Sequence, residues 1–456
     1  MNSAIEHTYR YAFASALQQS KSGMDVRLAT SGGVAESPYF FQGQLRQPRI
    51  TAQLLRTLAK VVGARFFTPP AMLNRILRTK DPVVTSGGGL LRFEGFSACC
   101  SAYARVDLSP DAYEGVVAGQ GTTNVDFNSE MRAALAQVRD GERVSLAVGT
   151  DEVALLRGSD QVVERKVDLP LRWIRGLVEV QAYQARMEKR AEIGRVETLR
   201  FLRSLPKTTT NRSTFWLSPG ATGLRFSLRE SPDGIKVTGL DRLRLLEALA
   251  PFAQSLHIYA DARGEASEWV LNFGPVNFHL TVSAEVWRGF SGEGQALSEL
   301  AGGERERILS QVRGMLKWQA ELRLEEFAAN WDVPPKAIRE ALAALGSRGL
   351  VGFDVTRGAY FHRELPFDLN LIEEMHPRLK GARKLVDERG VKILSRKDDL
   401  VEADVAGTGV THRVRVSEAR FSCTCPWHAK HQGNRGPCKH VLAVQILTEN
   451  DESSGT

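Results

Sequence analysis

The stretch FSCTCPWHAKHQGNRGPCKHVLAVQIL, residues 421–447, holds three of the five cysteines of the chain. Its spacing is Cys-x-Cys, then twelve residues, then Cys-x-His. Side chains two positions apart on an extended segment point the same way, so the first pair can face one ion. The second pair meets that ion where a short apolar helix is predicted to begin. Zinc favours four such ligands in a tetrahedron, and a complete set leaves no position for a reacting water. The pattern predicts one structural Zn²⁺ bound by Cys423, Cys425, Cys438 and His440.

Other residues of this stretch leave two alternatives open. His428 and His431 lie in the loop between the two pairs and could replace His440, although the Cys-x-His pair has the better geometry. Trp427 offers a flat aromatic surface that could stack on an unpaired base. The same indole could instead pack beside the metal and shield it from water.

The order of elements around the cysteines resembles a known family. A strand leads into Cys-Thr-Cys-Pro-Trp, a loop follows, and Pro-Cys-Lys-His begins the apolar helix. Over about residues 390–448 this order resembles the SWIM zinc finger family, and the upstream regions are similar to those of bacterial SWIM-containing proteins. The resemblance implies DNA binding or protein interaction and does not choose between them. SWIM modules also accompany ATPases and transposases, but the sequence shows no catalytic domain of either kind.

Basic residues surround the predicted metal site. Residues 413–439 contain a single acid, Glu418, and six basic residues: Arg413, Arg415, Arg420, Lys430, Arg435 and Lys439. The alternation in HRVRV (412–416) predicts a strand with its two valines inward and its two arginines outward. We expect nucleic acid to contact Arg413, Arg415, Lys430 and Arg435.

The region before residue 120 has a second basic segment. Ser37–Lys80 contains eight Lys or Arg residues and no Asp or Glu. A helix is predicted at 49–67, ended by the two prolines that follow, with apolar residues along one side. Its opposite side presents Arg49, Arg56 and Lys60. A solvated face is one interpretation, but solvated faces usually mix charge signs, so the pattern favours an anionic partner.

Residues 121–300 contain an apparent internal duplication. Each copy reads as a strand, a helix and three strands, and ends in a Trp-Arg-Gly motif that starts at Trp173 (with an Ile inserted) or Trp287. A long helical stretch at 171–205 is predicted to join the copies. The element order resembles the units of sliding clamps or of the TATA-binding-protein fold, both of which hold DNA. A duplicated structural platform is the alternative that the pattern favours.

Residues 301–366 have the pattern of a winged helix. Three helices are followed by a hairpin that turns at Arg357-Gly358. The third helix is predicted to bury Ile338, Leu342 and Leu345, leaving Lys336 and Arg339 outside. In DNA-binding relatives this helix enters the major groove. Many winged helices dock proteins instead, and the sequence leaves both functions open.

The composition fits a protein of several α+β domains. The 456 residues carry a formal charge of +7, and we expect four regions: 1–120, 121–300, 301–366 and 367–456, the last with an acidic, disordered tail. We find no secretory layout or apolar run of membrane length and expect a cytoplasmic location. Cytosolic thiols stay reduced, which favours metal binding over disulfides. No GxxxxGK[ST], HExxH or GxSxG motif occurs, so we expect no catalysis.

Two functions remain after these exclusions. The first is a zinc-containing protein that binds nucleic acid, with DNA as the expected ligand, through the basic surfaces of the N-terminal region, the winged helix and the zinc module. The second is a non-catalytic adaptor that binds a protein partner, such as a separate ATPase or nuclease.

Overall fold

The computed structural model describes most of the chain. The described residues are 16–20, 23–27, 39–67, 82–158 except 118 and 126, 160–167, 171–207, 213–220, 223–262 except 232, 264–290 except 288, single positions between 309 and 326, 333–365 except 348 and 364, 377–397, 400–417, 420–433 and 436–454. They form two compact units. The first comprises 1–170 and 187–289, and the second comprises 171–186 and 290–456.

The first unit repeats one order of elements, a strand, a helix and a run of antiparallel strands. The first occurrence is β3 (Tyr39–Leu45), α1 (Pro48–Gly63), β4 (Val83–Gly87), β5 (Leu90–Phe96) and β6 (Ala102–Leu108), and the next is β8 (Gly121–Asn124), α2 (Ser129–Gln137), β9 (Val144–Gly149), β10 (Glu152–Arg157) and β11 (Asp160–Arg165). A hairpin of β1 (Ala16–Ser20) and β2 (Gly23–Arg27) precedes them, and β7 (Tyr113–Val116) lies between them.

The order continues after residue 186. The third occurrence is β12 (Met187–Gly194), α4 (Arg195–Arg203), β13 (Thr214–Gly220) and β14 (Gly223–Ser227), and the fourth is β15 (Ile235–Thr238), a 3-10 helix (Leu240–Leu246), β16 (Ser255–Asp261), β17 (Ala266–Asn272) and β18 (Val276–Ser283). The helical stretch predicted at 171–205 is therefore wrong in its middle. Its residues 187–194 pair with β16, so tertiary pairing outweighs their helix-favouring composition.

In the first unit, the first strand of each occurrence pairs with the strand that follows the helix in the neighbouring occurrence. β3 pairs with β9 while β8 pairs with β4, and likewise β12 pairs with β16 while β15 pairs with β13. The resulting sheets have the orders β11-β10-β9-β3-β7, β12-β16-β17-β18-β6-β5-β4-β8 and β14-β13-β15. Because β18 pairs with β6, the eight-stranded sheet crosses the boundary that we expected near residue 120.

The two tryptophans of the predicted duplication occupy different settings. Trp173 is 1% exposed and lies in a helix of the second unit, whereas Trp287 is 47% exposed and lies in a turn of the first unit. The repeated Trp-Arg-Gly motif is therefore not a shared structural feature. The duplication of 121–300 as a whole stays a prediction.

Helix α1 buries the side that was predicted to be apolar. Leu54, Leu55, Leu58, Val61 and Val62 are all nearly inaccessible to solvent. Pro48 begins the helix, where its missing N–H costs no hydrogen bond. The helix ends at Gly63 rather than near residue 67, because Ala64 is extended and glycine is a poor helix former.

A buried charge network lies in the middle of the eight-stranded sheet. Arg92, Arg105, Asp107, Glu268 and His279 are each at most 4% exposed. The Arg105 Nε lies 2.9 Å from Asp107 Oδ1. His279 Nδ1 lies 2.8 Å from Glu268 Oε1, and its Nε2 lies 3.4 Å from Asp107 Oδ2. The imidazole is thus held between two carboxylates, which favours the doubly protonated ring.

The second unit begins with α3 (Leu171–Gln184), which packs against α5 (Pro335–Ser347). Next to these helices is a sheet of the order β19-β21-β20, with β19 (Glu321–Leu322), β20 (Val351–Asp354) and β21 (Ala359–His362). Ile338, Leu342 and Leu345 are buried as predicted, and Gly358 adopts φ +61° in the expected turn. The winged helix itself stays a prediction, since most of its first two helices lie outside the described residues.

A four-stranded antiparallel sheet follows in the same unit. It contains β22 (Val391–Lys397), β23 (Leu400–Ala406), β24 (Thr411–Val416) and β25 (Phe421–Cys423), in that order. Three helices accompany it: α6 (Pro377–Asp387), α7 (Pro426–His431) and α8 (Lys439–Ser454). The backbone of α8 continues to Ser454, so the tail predicted to be disordered is largely helical. No helix in the described part of the chain is long and apolar enough to span a membrane.

Candidate metal centre

The four predicted ligands come from three neighbouring elements. Cys423 ends β25, and Cys425 lies two residues further, where Pro426 begins α7. Cys438 and His440 bracket the first residue of α8. All four side chains are buried, none more than 6% exposed. The strand end and the two helix starts thus bring the two halves of the motif together, as the spacing predicts.

The donor atoms of the four residues form one compact cluster. They lie within 4.8 Å of one another, and His440 Nδ1 is 3.9 Å from the Sγ atoms of both Cys423 and Cys438. A tetrahedral zinc with bonds of about 2.0–2.3 Å places its ligand atoms roughly 3.5–3.8 Å apart. The cluster fits one structural zinc ion with small inward shifts, and Nδ1 is the histidine atom that faces it.

Hydrogen bonds and burial shift the pKa values of the three thiols in different directions. A hydrogen bond with Cys423, supported by one with His440, lowers the pKa of Cys438 to about 4. The same bond and burial raise the pKa of Cys423, and burial raises the pKa of Cys425. Backbone N–H groups of Cys425 and His428 donate to the sulfurs of Cys423 and Cys425, each at 3.4 Å. A cation at the centre would replace the remaining thiol protons, because zinc binds thiolates.

Trp427 packs against the cluster rather than presenting a free face. The Arg378 guanidinium lies over the indole, 4.8 Å from its centroid, and Arg378 Nη1 donates to the Pro437 carbonyl at 2.7 Å. The His431 imidazole also contacts the indole, with 4.4 Å between the ring centroids. Of the two interpretations of Trp427, these neighbours favour shielding of the metal site.

The alternative histidine ligands are placed elsewhere. The ring of His428 contacts Phe421, with 5.9 Å between centroids, and His431 contacts Trp427. Neither belongs to the compact donor cluster. His440 therefore has the role that the Cys-x-His spacing assigns to it.

The geometry and the family comparison agree on this module. The SWIM zinc finger family model matches residues 412–446. The match includes all four donors of the SWIM module and leaves the rest of the chain outside it. No curated protein matches the sequence. Among solved structures, the Proliferating Cellular Nuclear Antigen from Entamoeba histolytica is similar over 54% of this chain and 98% of that chain, with 9% identity and a TM-score of 0.36.

The outer face of the SWIM sheet is charged but internally paired. Arg413 Nε lies 2.7 Å from Asp404 Oδ1, and its Nη1 lies 3.0 Å from Glu402 Oε1. Arg415 Nη2 lies 3.3 Å from the same Glu402 oxygen. The hydrogen bond from Arg413 lowers the pKa of Glu402. Sequence reasoning missed both acids, because only the strand register places β23 beside β24. The two arginines that we expected to contact nucleic acid are thus ion-paired with acids of β23.

The helices of the SWIM module carry three lysines that are not ion-paired among the described residues. Lys380, Lys430 and Lys439 are exposed, and no acidic partner lies within ion-pair distance of them among the described residues. The Lys439 side chain packs against Gly381 of α6, the residue that follows Lys380. Trp427 of α7 meets Arg378 of α6. We call these three lysines the helical cation surface. Arg435 lies outside the described residues.

The expected contacts outside the SWIM module have mixed outcomes. Arg49 lies 2.7 Å from Asp140, so this charge is paired across the surface. Arg56 donates to Gln53 at 3.2 Å, and Lys60 is exposed at the end of α1. Arg339 is exposed on α5 as expected, and the side chain of Lys336 lies outside the described residues.

Proposed function

We propose that the chain is a non-catalytic, cytoplasmic protein that binds nucleic acid, in the first place DNA, through its SWIM module. The observation that carries the proposal is the distribution of charge. Residues 377–448 hold fourteen Lys or Arg and seven Asp or Glu, an excess of seven that equals the formal charge of the entire chain. Such a concentration on one small module is typical of a surface that binds phosphates.

The helical cation surface is the proposed contact, rather than the sheet face. Phosphate binding releases counterions only where a cation is not already neutralised by a neighbouring carboxylate. Arg413 and Arg415 share two acids, whereas the three lysines have none among the described residues. Lys439 lies between two buried metal ligands, Cys438 and His440, and its own side chain is exposed. Zinc bound by these neighbours would fix the backbone position of Lys439.

Helix α1 supplies a second proposed contact in the first unit. Arg56 and Lys60 share its outer side, and neither meets an acid among the described residues. Arg49 contributes less, because Asp140 partly neutralises it. The adaptor function remains the competing proposal, and the salt dependence of binding separates the two.

The test measures affinity of the zinc-loaded full chain for labelled duplex DNA by anisotropy, between low and moderate salt. Replacing Lys380, Lys430 and Lys439 with Gln should make the negative slope of log affinity against log salt shallower by about 2.7, or roughly 0.9 for each phosphate that is no longer neutralised. The matched control replaces Arg413, Arg415 and Glu402 with Gln and Asp404 with Asn. It removes a balanced set of charges, so affinity and slope should stay at the wild-type level.

Two results would overturn the proposal. If the wild-type chain bound neither single- nor double-stranded DNA at low salt, the adaptor function would replace it. If the balanced control weakened binding as much as the lysine variant, the phosphates would meet the sheet face instead.

A further inference from the structure

The three-stranded sheet β14-β13-β15 of the first unit has two unlike faces. On the inner face, the Phe226 ring lies 5.4 Å from Phe201 and 6.5 Å from Trp269 between centroids. Leu217 and Val237 are buried on the same side. This face belongs to the hydrophobic core. Alternation along each strand sends the intervening residues to the other face.

The outer face presents one aromatic ring among cations and small polar groups. Trp216 lies at the centre of β13, directly opposite Lys236 on β15 and Ser227 on β14. Arg225 lies diagonally from Trp216, opposite Ser218, and is exposed. Trp216 and Lys236 are partly exposed. No acidic residue shares this face within the three described strands.

This arrangement has the chemistry of a stacking platform. A tryptophan on a sheet face that is otherwise polar adds nothing to the core beneath it, but its ring can stack on a base. Cross-strand neighbours about 5 Å away bring a cation beside the ring, where the phosphates that flank a stacked base would lie. Bases in a duplex already have both faces stacked, so only an unpaired base can reach the indole.

We propose that the outer face of the β14-β13-β15 sheet binds single-stranded nucleic acid, with a base stacked on Trp216 and phosphates contacted by Lys236 and Arg225. The inference rests on the proposed nucleic-acid function and assigns it a second site with its own strand preference. Charge complementarity selects this occupant, because the described residues of the three strands offer a partner two cations and no acid on this face.

The test compares the full chain and its variants on labelled oligo(dT) and on a duplex of equal length. Trp216→Ala should weaken binding to oligo(dT) by roughly 5- to 150-fold, the range for removal of one base–aromatic stack, and leave duplex affinity unchanged. Trp216→Phe should retain most of the affinity, since phenylalanine also stacks. Trp287→Ala is the matched control, because Trp287 is 47% exposed but lies in a turn of the same unit.

A charge variant tests the flanking cations independently of the ring. Arg225→Gln with Lys236→Gln should make the negative salt slope for oligo(dT) shallower by about 1.4, at roughly 0.7 for each phosphate on a single strand. All variants should keep the wild-type unfolding temperature, which excludes misfolding as the cause of weaker binding.

The outcomes separate this site from the general function. If the wild-type chain bound oligo(dT) and neither Trp216→Ala nor the charge variant changed that binding, the platform would be wrong while the proposed function stood. Equally weakened binding in Trp216→Phe and Trp216→Ala would also overturn stacking. A wild-type chain that bound no nucleic acid would remove the function and the platform together.

Discussion

Cys425 has two roles at the metal centre. Its sulfur accepts the His428 backbone N–H at 3.4 Å and so caps α7, and it is one of the four clustered donors. A serine could keep the capping hydrogen bond, but its hydroxyl is a poor zinc ligand at neutral pH. Substitution therefore separates metal binding from helix capping at a single position.

Cys425→Ser should abolish stoichiometric zinc binding and unfold the SWIM module. Structural zinc contributes on the order of 10 kcal/mol to small modules of this kind, which exceeds what the remaining interactions can replace. Elemental analysis of the purified chain should show one zinc in the wild type and almost none in the variant. His428→Ala is the control and should keep its zinc, because that ring lies outside the donor cluster. Full zinc occupancy in Cys425→Ser would contradict the assigned ligand set.

His279 should make the first unit less stable in alkaline solution. Burial and Arg105 oppose its charge, but Asp107 and Glu268 outweigh them, so the pKa of His279 is raised above its usual value. The imidazolium therefore stabilises the fold fully below about pH 6.5, the pKa of unfolded histidine, and that contribution is lost as pH rises through the raised value. Thermal unfolding between about pH 6 and 9 should show a smaller decline in His279→Gln. Equal declines in both proteins would mean that the histidine is neutral in the network.

Residue spacing explains which parts of the site were predictable. The four ligands follow from short separations along the chain, since an extended pair and a helix start fix their directions locally. The cover that Arg378 forms over Trp427 was not predictable, because no local periodicity links two positions so far apart. The same holds for Glu402 beside Arg413, which depends on the register between two strands.

Helix α1 shows the same division at the scale of an element. Its amphipathic periodicity predicted the buried side correctly, since burial follows the 3.6-residue repeat. The pairing of Arg49 with Asp140 lay outside that reasoning, because the acid comes from the turn after α2. Only the fold reveals which cations on a basic helix remain available to a ligand.

Arg56 and Lys60 should therefore matter more to DNA binding than Arg49. Replacing both with Gln should reduce the magnitude of the duplex salt slope by about 1.8, whereas Arg49→Gln should reduce it by clearly less than about 0.9, the change for one unpaired cation. The measurement is anisotropy on the full chain at several salt concentrations. A change of about 0.9 from Arg49→Gln would mean that Asp140 does not neutralise it in solution, and no change in either variant would mean that α1 is merely solvated.

Strand β12 marks the limit of prediction for elements. Its sequence, MEKRAEIG, has the composition of an exposed helix, and the residues on both sides of it are helical. Its pairing with β16 joins segments that are distant along the chain, and a bulge between Lys189 and Ala191 adjusts the register. Long-range pairing of this kind leaves no periodic signal in a strand whose side chains are mostly exposed.

At the scale of the whole molecule, zinc should stabilise only part of the chain. The ligands lie within the second unit, and the donor cluster shares its core with β23, β24 and α8. Chelation should increase amide hydrogen exchange across 391–448, measured by mass spectrometry, and leave 39–167 at its original protection. Re-adding zinc should restore protection, which serves as the control for irreversible damage. Faster exchange throughout 39–167 would show that the metal stabilises the first unit as well.

Helix α3 belongs to the second unit although the sequence on both sides of it belongs to the first. Its Gln181 donates to the Leu342 carbonyl at 3.4 Å, so residues coded far apart complete one core. A single truncation of the coding sequence therefore cannot separate the two units. A gene truncated to residues 290–456 encodes a second unit without this helix. A short in-frame deletion within 171–186 removes part of the second unit, although the rest of that unit is encoded from residue 290 onward.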